Sequence, residues 1–123
     1  MDDNDLWEVN EIVNQLPYQS DAHRYGQADF WERADGKGND CEDYALGKLH
    51  RLLERGWPVE KLRLACCYVE TGDYHAVLEV EGLVLDNRYT FPMLFFELAG
   101  KGYRPDRIQR VGGSREWTDW KWI

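Results

Sequence analysis

The sequence has too few cysteines, too awkwardly placed, for a disulfide framework. There are three, an odd count, and Cys66 and Cys67 are adjacent, where strand neighbours point to opposite faces. They are expected as free thiols. No CxxC pair occurs and the three histidines are scattered, which argues against a structural zinc site. No apolar run approaches the roughly 20 residues that span a bilayer, so membrane insertion is not expected. The start, Met1-Asp2-Asp3-Asn4-Asp5, is acidic and lacks the basic and apolar regions of a secretory signal. Cytoplasmic placement is the expectation, with the periplasm as the alternative if an export signal has been removed. Basic character is also scarce. Lys+Arg total 15 against 23 Asp+Glu, a net charge of -8 with no basic stripe, which makes nucleic acid and anionic membrane surfaces poor partners. There is no repeat, linker or low-complexity segment, and nothing specifies an oligomeric state.

What is present suits one compact α+β domain over residues 1–123. Hydrophobic residues make up 43% of the chain, with six Trp and seven Tyr to fill a core or line a groove. From Asp5 onward Leu6, Val9, Ile12, Val13 and Leu16 recur at helical spacing, an aspartate among Asp2, Asp3 and Asp5 can cap the start, and Pro17 should end the helix. Residues 18–40 read as a long irregular stretch with a short helix hidden in it and a functional role, carrying Tyr25-Gly26-Gln27 and Phe30-Trp31. A second helix runs from Cys41 to Gly56, with Ala45, Leu49, Leu52 and Leu53 on its apolar face and Lys48, Arg51 and Glu54 on the other. Three strands follow, Leu62 to Val69, Tyr74 to Glu81 and Leu83 to Asn87, as an antiparallel meander with a two-residue turn at Glu81-Gly82. Pro92 opens a short helix through Leu98, closed at Gly100. The tail from Ile108 to Ile123 adds a last strand bearing Trp117, Trp120 and Trp122.

The chemistry concentrates at Asn39-Asp40-Cys41-Glu42-Asp43-Tyr44, which places a cysteine at a helix start. The positive end of the helix dipole favours a thiolate there. A thiol nucleophile needs a base, and the base needs a partner that fixes its tautomer. His75 on the second strand and Asp86 at the end of the third supply both: with Glu81-Gly82 as the turn, Val80 faces Leu83 and Asp86 falls one same-face step from His75, about 7–8 Å at the backbone. One detail resists. Ala76, Leu78 and Val80 form a more apolar face than His75, Val77 and Glu79, so either a bulge re-aims His75 or both faces are covered. Taken singly, Cys41 is a small buried hydrophobe, His75 a structural histidine and Asp86 a turn former. Asp40, Glu42 and Asp43 offer hard oxygen ligands of the kind Ca²⁺ takes, although an acidic first helical turn also complements the dipole.

The runs Asn39-Asp40-Cys41-Glu42-Asp43-Tyr44-Ala45-Leu46, Asp73-Tyr74-His75-Ala76-Val77-Leu78 and Leu83-Val84-Leu85-Asp86-Asn87, with Gly26-Gln27-Ala28-Asp29-Phe30-Trp31 upstream, resemble the bacterial transglutaminase-like cysteine peptidases. The resemblance spans about residues 9–90. It implies a papain-like or transglutaminase-like core, in which a cysteine-bearing helix packs on an antiparallel sheet. It also implies Cys41 as nucleophile, His75 as general base and acid, and Asp86 as orienting carboxylate, acting on a protein or peptide substrate through an acyl-enzyme. The best-known members are periplasmic, cleave cell-surface adhesins and depend on calcium, which makes Asp40, Glu42 and Asp43 candidate calcium ligands. This chain is short for the family and shows no export signal. Transglutaminase-type acyl transfer to an amine fits the same residues. A noncatalytic peptide- or protein-binding module, using the aromatic loop around Phe30 and Trp31, is the alternative of another class.

Overall fold

A computed structural model describes residues 2–15 and 39–122, with the side chains of Asn39 and Asp40 outside that description. The expectations for Leu16, Pro17 and the stretch from Tyr18 to Gly38, including Gln27, Phe30 and Trp31, therefore lie outside the described residues.

Helix α1 is Asp3–Asn14, and its start is a capping box. The Asp2 carboxylate accepts from Asn4 N–H at 2.6 Å and Asp5 returns an acceptor to Asp2 N–H at 3.3 Å. Its inward stripe is Leu6, Val9, Asn10 and Val13. Ile12, expected on that stripe, is exposed, and a fully buried Asn10 stands in the apolar face instead. Helix α2, Asn39–Glu54, packs on α1 and on the second strand. Cys41, Ala45, Leu49 and Leu52 are buried as expected, together with Leu46. Lys48 is not on the outer face: it is fully buried. Seven residues after Cys41, it returns almost to the same side of the helix, and helical geometry overrides the assignment that its charge suggested.

A 3₁₀ turn at Val59–Lys61 leads into β1 (Leu62–Tyr68), followed by β2 (Tyr74–Val80), β3 (Leu83–Leu85), β4 (Met93–Leu94), α3 (Phe95–Gly100), β5 (Arg104–Gln109) and β6 (Trp117–Asp119). All neighbouring strands run antiparallel, in the order β4-β3-β2-β1-β5-β6. The two-residue turn forms as expected, with Val80 opposite Leu83. Glu81 and Gly82 both take positive φ, 51° and 93°, the twist that a tight hairpin requires. Two expectations need correction. The segment after Pro92 first adds the short strand β4, and its helix starts only at Phe95. The tail forms two strands rather than one, because β5 already begins at Arg104 and pairs with β1. Trp120 and Trp122 follow β6 and pack around Phe95, with ring centroids 5.7 Å from it in each case.

Both faces of the sheet are covered. On one side α1 and α2 bury Leu64, Cys66, Ala76, Leu78 and Val80. On the other, Ala65, Cys67, Val77 and Val84 pack with Met93, Leu98, Tyr103 and Trp120. This settles the facing problem of β2 without a bulge, since its pairing with β1 is continuous from Tyr74 to Val80.

Candidate active site

Cys41 sits on a helix against one face of the sheet and His75 on a strand position of the opposite face, and they meet because β3 is short. Its pairing with β2 runs only from Val80–Leu83 to Leu78–Leu85. Among the described residues, the edge of β2 at 75–77 then has no strand beside it on that flank. The Ala76 N–H there donates to Cys41 Sγ at 3.3 Å. The start of α2 thus takes the place that a longer β3 would occupy, and the His75 ring reaches the same edge from the other face.

The three expected residues are brought together. The His75 Nε2–H donates to Asp86 Oδ1 at 2.6 Å, and the ring also hydrogen-bonds the Cys41 side chain. All are buried, with Cys41 6%, His75 8% and Asp86 1% exposed, so their electrostatics act with little solvent screening. Burial works against a charged imidazole, but the hydrogen bonds from Asp86 and Cys41 and the charge of Asp86 outweigh it, holding the His75 pKa at about 9. Burial would likewise raise the Asp86 carboxyl, yet its hydrogen bonds with His75, Tyr103 and the Arg88 backbone keep it below the ordinary value.

Sequence reasoning missed the groups that hold Asp86. Tyr103 OH donates to Asp86 Oδ2 at 2.6 Å and Arg88 N–H to Oδ1 at 3.0 Å. Arg88 Nη1 in turn donates to the Tyr103 oxygen and to Glu70 Oε1, both at 2.9 Å, and its second nitrogen grips the other Glu70 oxygen. Nothing around Tyr103 marks it in the sequence, because β5 and the turn before it bring it under β3 only on folding. Asn10 and Asn14 of α1 also hold the chain after β3. Their amide nitrogens donate to the backbone oxygens of Asp86, Tyr89 and Thr90 at 2.8–3.1 Å. An asparagine within an apolar helical stripe was a signal available in the sequence.

Cys66 and Cys67 are buried free thiols, as expected. Burial pushes the Cys66 pKa to about 11 and Cys67 higher still, so neither is poised to react at neutral pH. Of the candidate calcium ligands, Glu42 and Asp43 are buried beside Cys41, and the Asp40 side chain lies outside the described residues. Among the described residues no three His, Cys, Asp or Glu side chains are grouped to hold a metal ion. No described helix is long and apolar enough to cross a membrane.

The family model described as bacterial transglutaminase-like cysteine proteinase, BTLCP, matches residues 2–119. Solved structures of Legionella pneumophila LapG share the fold. The calcium-bound form is 24% identical with a TM-score of 0.63, covering 94% of this chain and 71% of that one. A further LapG structure gives 25% identity and 0.63, with 89% and 65% covered. An EGTA-treated form gives 25% and 0.64, with 94% and 70% covered. The chain therefore spans about two thirds of the LapG chains it matches. No curated protein matches it.

Proposed function

We propose that this chain, which belongs to the bacterial transglutaminase-like cysteine proteinase family, hydrolyses an amide bond of a protein substrate with Cys41 as nucleophile, His75 as proton carrier and Asp86 as orienting carboxylate. The observation that carries the reading is the buried His75 ring, bonded to Asp86 on one side and to Cys41 on the other.

With Nε2 engaged by Asp86, Nδ1 is the ring nitrogen left for the thiol. The ring takes the Cys41 proton as the sulfur attacks, and the Asp86 hydrogen bond and charge, which hold the His75 pKa near 9, stabilise the imidazolium so formed. Sγ attacks the scissile carbonyl carbon. The carbonyl oxygen takes the negative charge, and the Cys41 backbone N–H is one donor towards it. As the tetrahedral species collapses, Nδ1 gives its proton to the departing nitrogen, the C–N bond breaks and a thioester remains. Water then loses a proton to Nδ1 while its oxygen attacks the thioester, and Sγ leaves as thiolate. If a lysine amine replaces water in that step, the same residues perform acyl transfer.

The donor chemistry beside Cys41 suits Ca²⁺, since Glu42 and Asp43 are carboxylates held below the surface. In this reading Asp40, Glu42 and Asp43 contribute ligands. The ion would supply positive charge that offsets the acidic start of α2, and no proton transfer passes through it. LapG has been solved in calcium-bound and EGTA-treated forms, which supports the idea for this chain.

Labelling with a thiol-directed probe, read by mass spectrometry, tests the proposal. Cys41 should react at neutral pH, lose that reactivity in His75→Ala, and leave Cys66 and Cys67 silent. Three equally inert thiols would instead favour a binding module. Incubation of labile protein substrates with and without a fluorescent amine then separates hydrolysis from acyl transfer.

A further inference from the structure

Lys48 is a fully buried charged side chain, at 0% exposure, and its Nζ has no hydrogen-bond partner. It lies on the Cys41 side of α2, two turns further along among Ala45, Leu49 and Leu52. A lysine amine carries only donors, so an orphaned one is costly unless acceptors are near. Acceptors in the same condition surround the Asp86 loop. Asn10 Oδ1, Asn14 Oδ1 and Asn87 Oδ1 are buried without a donor, while the Asn10 and Asn14 nitrogens already clamp the backbone oxygens of residues 86, 89 and 90. The groups converge on one residue: Asn14 bonds the Asp86 carbonyl, and the Asp86 carboxylate is the charge acting on Lys48. Burial pulls the amine pKa down to about 7 against that charge.

We infer that Lys48 is a positioning residue of the active site, whose amine supplies, through ordered water, the donors that the Asn10 and Asn14 oxygens lack, and so braces the Asp86–Thr90 loop between α1 and α2. Buried water typically bridges such mutually unsatisfied groups. With the two amides fixed, Asp86 stays in line with His75. The inference rests on the assignment of Cys41, His75 and Asp86 as the reacting centre.

The experiment compares the full chain with Lys48→Met, a substitution close in volume that removes the amine. The rate of Cys41 alkylation by iodoacetamide is followed from pH 4 to 9 alongside thermal unfolding. Thermal unfolding shows that Lys48→Met is folded at the assay temperature, so that a change in rate reports on the site. Alkylation of the variant at neutral pH should fall by about tenfold, the scale for losing a group that orients a reacting side chain. The acid midpoint of the profile should move up towards that of an unassisted thiol. Lys48→Gln, which keeps a donor, should recover part of the rate. A purely structural lysine would change unfolding without moving the midpoint. If Lys48→Met does not fold, Lys48→Gln, Asn14→Ala and their double variant carry the test: losses no larger in the double than in the slower single support the brace, and additive losses overturn it. Unchanged rate and midpoint in Lys48→Met overturn it too. An inert Cys41 in the wild-type chain would refute the catalytic assignment instead.

Discussion

Raising the pH should remove stability that His75 contributes. Its pKa of about 9 in the folded chain stands above the ordinary value near 6.5. The folded state therefore holds the proton more tightly than the unfolded chain. That contribution is complete below about pH 6.5 and disappears as pH rises through about 9. A gap of this size corresponds to about 3 kcal/mol, a large share of what a domain of this size has in total. Urea unfolding at intervals from pH 6 to 10, for the wild type and for His75→Gln, measures it. Ionisation of the buried Cys66 and Cys67 thiols in the unfolded chain also lowers stability above about pH 8.5, but it does so in both proteins. The diagnostic quantity is the difference between them, which should narrow by about 3 kcal/mol across the window. Parallel curves would refute the reasoning, because they would mean that His75 binds its proton no more tightly in the folded state.

Tyr103→Phe removes the hydroxyl that donates to Asp86 and accepts from Arg88; a hydrogen bond to a buried charge is worth about 1.5–3 kcal/mol, so urea unfolding at pH 7 should show a loss of that order with slower Cys41 alkylation, and a neutral result on both would show that the hydroxyl does not support Asp86. That stability loss should shrink as pH falls through the folded pKa of Asp86, where the carboxyl protonates and the lowered pKa no longer contributes. Calcium added to chelator-treated protein should raise the unfolding temperature, and Asp40→Asn with Glu42→Gln should abolish the rise; calorimetry without a binding heat would remove the calcium reading. Gly112→Ala would set a Cβ 1.8 Å from the Val59 carbonyl oxygen and 2.5 Å from that of Leu62, an overlap expected to cost about 3 kcal/mol in chemical denaturation.

Local signals carried most of the fold into view. The capping aspartate of α1, the period of α2, the positive-φ turn at Glu81-Gly82 and the alternation of β1 and β2 are short-range features that tertiary packing did not overrule. The order Cys41, His75, Asp86 was legible for the same reason, since strand register follows from the turn between them. What escaped depends on contacts between distant segments. Lys48 read as a surface residue because charge outweighed its place on the helical wheel, and Asn10 was passed over inside an apolar stripe. Tyr103 meets Asp86 across 17 positions of sequence, with β4 and α3 intervening, and no local pattern encodes such a meeting. The facing problem of β2 resisted because sequence alone did not show that α3 and the tryptophans of the tail cover the second face.

The turn that Asp86 forms and its bond to His75 belong to one arrangement. Asp86 Oδ1 accepts from the Arg88 N–H two residues on, the side-chain turn by which aspartate ends a strand. That turn stops β3 after Leu85, and stopping there exposes the β2 edge where Ala76 N–H meets Cys41 Sγ. One further pair of residues in β3 would bring a backbone acceptor alongside that N–H and draw Asp86 into the ladder, away from His75. The unpaired edge has a cost, because an N–H left without an acceptor is penalised when buried. The N–H that the shortened strand leaves over finds its acceptor in sulfur instead, so the strand break and the seating of Cys41 against the β2 edge are coupled through Ala76.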